Sequence, residues 1–141
     1  MPSYTGLHKE GFFMTITVRI FQWITGLAGL GALALGLLDW IANISFINVH
    51  MLFGLTVTLA LLVLSILMLF IRGMRIWGAV GIVYALVIPV FGLTQATLLV
   101  GDFHWLIRTA HLLVGIGALA LAGIMAQRYT LLKAQGRAAV Q

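Results

Sequence analysis

Two histidines carry the chemistry that can be read from this sequence. His111 lies in the stretch FHWLIRTAHLLVGIGALALAGIMAQRY, Phe103 to Tyr129, about two helical turns into an apolar run. From Thr109 to Ala126 that run holds no other ionisable side chain. An ionisable group at such depth is costly in hydrocarbon, so it needs a partner, a cavity or a metal. His50 repeats the pattern near the start of FINVHMLFGLTVTLALLVLSILMLFI. Each histidine is followed four residues later by a glycine, Gly54 and Gly115. On a helix that glycine lies one turn away on the same face, where it removes a side chain.

Two neutral imidazoles facing each other across a helical bundle can fill both axial positions of a haem iron. The glycines would then clear the path of the porphyrin plane. The blander reading is that each histidine hydrogen-bonds a backbone carbonyl of a neighbouring helix. A zinc site fits less well, because structural zinc takes four protein ligands and no third histidine, cysteine or carboxylate stands at matching depth. The expectation is one haem b per chain, held by His50 and His111.

Two further residues belong with this pair. His104 precedes His111 by seven residues and shares its face, but at the membrane surface. It could bond a haem propionate, contact a quinone headgroup or face solvent. Arg108 lies one turn before His111, where its guanidinium could pair a propionate or snorkel to the interface. His8 lies near the start of the chain and reads as an ordinary solvated histidine.

Four apolar spans must position these residues. Of 141 residues 62% are hydrophobic and only 8% are charged. Typical soluble domains carry about 25% charged residues, so this is an integral membrane protein. The spans are expected at roughly 15–40, 47–71, 76–100 and 105–129 in a single transmembrane domain, residues 1–141. A polar tail precedes the first and a weakly basic tail follows the last. Pro89 could kink the third, and the glycines of the first suit helix packing or a flat cofactor. The connections are short: Ala42 to Phe46, the basic turn Arg72-Gly73-Met74-Arg75, and Gly101-Asp102. Short connections imply an all-α, up-down-up-down four-helix bundle.

Charge sets the orientation and excludes other classes. Seven of the eight lysines and arginines fall at one end, and only Arg108 falls at the other with Asp39 and Asp102. Both termini are therefore expected in the cytoplasm, with both short acidic loops facing the periplasm or cell exterior. The net charge of +5 reports this topology rather than nucleic-acid binding. The absence of cysteine excludes disulfides, iron–sulfur clusters and thioether-linked haem.

With these residues in place, the chain resembles the bacterial cytochrome b561 family of four-helix membrane cytochromes. That family has a histidine-tryptophan pair in its first span, a histidine opening the second and two in the fourth, together binding two b haems. His50 and His111 match the ligands of the outer haem. The first-span motif stands here as Arg19-Ile20-Phe21-Gln22-Trp23, with glutamine at the ligand position. The second fourth-span position falls near Met125. The resemblance thus implies a one-haem form, with Gln22 and Met125 packing helices or lining a lipid or quinone pocket.

Two functions follow from different classes. One is a b-type cytochrome carrying single electrons between quinol in the membrane and an acceptor at the outer face. His104 or Asp102 would then take the quinol proton. The other is a small non-catalytic transmembrane subunit of a larger respiratory or photosynthetic complex, holding haem, a chlorin or lipid structurally. Its partners would be the lipid bilayer and a larger membrane complex or a second copy in a homo-oligomer. No residue marks a catalytic step, so whether the chain is an enzyme stays open.

Overall fold

The computed structural model describes the backbone of residues 4–138, and the side chains of residues 13–138 except Arg137. The side chain of His8 lies outside the described ones. Four α-helices follow one another: α1 Tyr4–Ala42, α2 Ile47–Leu69, α3 Arg75–Thr94 and α4 His104–Ala138. A single 3-10 turn, Gln95–Thr97, extends α3. The fold is all-α, and each helix contains a stretch long and apolar enough to cross a membrane.

Three boundaries differ from the expected spans. α1 starts at Tyr4 rather than within the first span, and α4 runs on to Ala138 past the expected end at Tyr129. A helix once nucleated adds residues at little cost, and no proline stands between Tyr4 and Thr15 or between Tyr129 and Ala138. The third span ends early: α3 closes at Thr94, and Leu99 and Gly101 turn the chain at φ 45° and 105°. Pro89 sits inside α3 without ending it. The other turns use Asn43 at φ 53° and Gly73 at φ 88°, left-handed conformations that asparagine and glycine tolerate.

The helices form a ring in which α1 packs on α2, α2 on α3, and α4 on both α3 and α1. α2 and α4 therefore face each other across the bundle. The side facing outward is apolar all round: Trp23, Leu52, Val83, Leu93 and Leu113 are all exposed. In water such a surface would be an aggregation liability, whereas in a bilayer it is the surface that lipid covers.

Packing is uneven along the bundle axis. Leu61, Leu64, Met68, Met74 and Met125 are fully buried, all in the half that carries the basic turn and the chain ends. There α2 and α3 approach closely. A Cβ on Gly78 would lie 2.7 Å from the Ser65 carbonyl oxygen and 2.8 Å from the Leu69 nitrogen. A Cβ on Gly81 would collide with the Ser65 hydroxyl. Small residues permit this backbone contact, the main source of helix association where lipid and side chain are equally apolar. In the other half the helices pack more loosely. From residue 30 to 56, and from 86 to 117, no residue is buried.

Gly78→Val should destabilise the bundle by about 1–3 kcal/mol, because backbone atoms cannot yield to the new side chain. Thermal unfolding in detergent, followed by circular dichroism, checks this against Gly136→Ala. Gly136 has open space at its Cβ position, so its melting temperature should not fall.

Candidate metal centre

The loosely packed half contains both histidines. His50 lies in the first turn of α2, and His111 two turns into α4. Because α2 and α4 both run from this end toward the basic turn, equal depth brings the rings together. Their centroids lie 5.9 Å apart, with the planes inclined at 47°.

Each ring is held by a helix that the sequence did not single out. His50 Nδ1 donates a hydrogen bond to the Ala32 carbonyl of α1 at 2.9 Å. That carbonyl sits inside a helix and normally serves only the amide one turn on, which belongs to Gly36. Gly36 is what lets the imidazole in: a Cβ there would lie 3.2 Å from His50 Cε1. The bond fixes the proton on Nδ1 and leaves Nε2 with its lone pair, the form a metal ligand needs.

His111 is positioned by α3. The Phe91 ring stacks on it at 6.0 Å and 14°, and the next residue, Gly92, gives its Cε1 room. Its Nδ1 is different from every other described side-chain polar atom: it is buried and has no hydrogen-bond partner. A buried nitrogen left so costs about 1–3 kcal/mol. All four helices thus meet at the pair, α1 through Ala32 and Gly36, α3 through Phe91 and Gly92.

These distances bear on the two readings of the pair. The backbone-bonded reading holds for His50 and fails for His111. A direct hydrogen bond between the imidazoles would draw the ring centres to ~5 Å. Two imidazoles on one metal, with bonds of ~2.0 Å on each side and ~1.1 Å from nitrogen to ring centre, stand ~6 Å apart. The donor set and the ring spacing fit a bis-imidazole iron. Among the described residues no cluster of three or more histidine, cysteine or carboxylate groups exists.

The remaining expected residues fall as follows. Gly54 and Gly115 have nothing within 4 Å of their Cβ positions, so the space one turn below each histidine is open. The glycines that touch the imidazoles are Gly36 and Gly92 instead. A short apolar helix face gives no signal for which glycine of a neighbouring helix will meet it. His104 begins α4 and donates from Nδ1 to the Leu98 carbonyl at 3.2 Å, bracing the preceding turn. Arg108 is exposed one turn before His111. Gln22 and Met125 part company. Gln22 lines a cleft between α1 and α4, whereas Met125 is fully buried with its sulfur 3.3 Å from the Cβ position of Gly81. Met125 is a core residue, as the packing alternative had it.

No protein family model, no curated protein and no solved structure matches this chain.

Proposed function

We propose that the chain is a membrane-bound b-type cytochrome with one haem held between His50 and His111, carrying single electrons between quinol and an acceptor at the outer face. The observation that carries this reading is the pair itself. Two imidazoles from opposite helices stand 5.9 Å apart, and one has a buried nitrogen that no protein group satisfies. A haem, when bound, supplies a one-electron couple. The protein's own atoms do the rest. The Ala32 carbonyl holds His50 in the ligating tautomer and raises its basicity. Arg108, near the outer surface, offers two parallel N–H donors to a carboxylate. His104, with Nδ1 committed to Leu98, keeps Nε2 for a quinol proton.

The orientation belongs to the same proposal: the protein lies in a bacterial inner membrane with both termini in the cytoplasm. Tags placed before Met1 and after Gln141 should both report from inside. A terminus found outside would put the histidine pair at the cytoplasmic face.

A second reading, a small subunit of a larger membrane complex, draws on the short connections between helices at 43–46, 70–74 and 98–103. They leave little surface for a soluble redox partner. Purification separates the two. An independent cytochrome stays monodisperse in detergent with its haem, whereas an orphan subunit aggregates or comes out colourless.

The ligand assignment makes quantitative demands. Pyridine haemochrome assay should give about one b haem per chain. His50→Ala and His111→Ala should each abolish stable binding, while His104→Ala should leave the reduced spectrum nearly unchanged. Gly36→Val should weaken haem retention, because its side chain displaces His50 from Ala32. Retention of haem by His111→Ala but not by His104→Ala would move the ligand to the membrane surface and overturn the site.

A further inference from the structure

The cleft between α1 and α4 lies in the opposite half from the histidine pair and has a different character. It measures about 570 Å3 and is half open. Its deep part is small and apolar, formed by Gly26 of α1 with Leu119, Ala122 and Gly123 of α4. Gly26 and Gly123 have nothing within 4 Å of their Cβ positions, so the slot is wide enough for added atoms. Its shallow part is polar. Arg19 and Gln22, one turn apart on α1, stand over it. A continuation of about 190 Å3 toward the chain ends adds Thr15, Gln127 and Thr130. At that rim Lys133 donates to the Thr15 hydroxyl, tying the two helices.

Arg19 lies at the edge of the run Ile20 to Leu38, which holds no charged side chain. A guanidinium at that edge needs an anion or a route to the interface. The described carboxylates, Asp39 and Asp102, lie at the other end of the bundle. The described charged side chains of α4 at that end, Arg128 and Lys133, are both positive. The cleft therefore offers, in order of depth, a cationic phosphate partner, an amide for ester carbonyls, and a narrow apolar slot. This sequence of chemistries is that of one phospholipid.

We propose that the α1–α4 cleft is a binding site for a single anionic phospholipid, with its phosphate on Arg19, its glycerol esters at Gln22 and an acyl chain between Gly26 and Gly123. Guanidinium and phosphate match in a two-point hydrogen bond, and the surrounding positive field selects a headgroup of net negative charge. The proposal is independent of the haem site.

Native mass spectrometry of the delipidated full-length protein in detergent tests it, with phosphatidylglycerol, phosphatidylcholine and inorganic phosphate as probes. One phosphatidylglycerol should bind at low concentration, with affinity falling about tenfold or more in Arg19→Gln. Gly123→Leu should weaken binding to a similar degree by filling the slot. Arg75→Gln, at the same end but outside the cleft, should leave binding unchanged. Circular dichroism verifies that the variants are folded; Arg19 is exposed and Gly123 has open space, so neither change disturbs packing. Equal binding of phosphatidylcholine, retention by Arg19→Gln, or an equal loss in Arg75→Gln would overturn the proposal. So would displacement of the lipid by millimolar phosphate, which would make this a site for free phosphate.

Discussion

Hydrocarbon supplies no hydrogen bonds, and this single constraint orders the whole structure. Backbone amides answer it by forming helices. The hydroxyls answer it locally: Thr25, Thr56, Thr58, Ser65 and Thr109 each donate to the carbonyl four residues back on their own helix. Among the described residues some polar side chains reach across to another helix, Lys133 to Thr15 at the rim and others deeper in the bundle. Tyr84 donates to the Val114 carbonyl, joining α3 to α4, and His50 donates to Ala32, joining α2 to α1. His111 Nδ1 has no such answer. Among the described buried side-chain polar atoms it is the exception.

The two halves of the bundle solve different problems. Toward the basic turn, Gly78 and Gly81 bring α3 onto Ser65 and leave Met125 sealed in the core. Toward the histidines, the helices hold imidazoles, a phenyl ring and glycines at distances set by rings rather than by backbone contact. Tyr84 lies at the boundary. Its hydroxyl occupies the position that a Cβ on Gly117 would take, so the last tightly packed contact falls only two turns below His111.

Much of this was legible in the sequence because apolar length and loop chemistry are one-dimensional signals. The spans, the turns at Gly73 and Gly101, and the matched depth of His50 and His111 need only counting along the chain. Rotation about each helix axis is a different matter. Helices apolar on every side carry little moment to say which face turns inward. Hence Gly54 and Gly115 were legible as neighbours of the histidines along the chain, whereas Gly36 and Gly92, their neighbours in space, were not. The Ala32 carbonyl had no signal at all, since every residue has one. The α1–α4 cleft was visible only through Gln22, and its other wall came from residues that read as plain helix.

The unequal lengths of the helices have a mechanical consequence. α1 and α4, at 39 and 35 residues, extend roughly 58 and 52 Å, whereas α2 with 23 spans roughly 35 Å. A hydrocarbon layer is about 30 Å thick. The long pair can sit at many depths, but the α2–α3 hairpin cannot, because Arg72 and Arg75 cap its tip. A thicker bilayer would draw those guanidinium groups into oil, and a thinner one would expose the apolar flank of α2. The shortest hairpin thus sets the membrane thickness that the molecule accepts, while the longer helices are carried to whatever height it dictates.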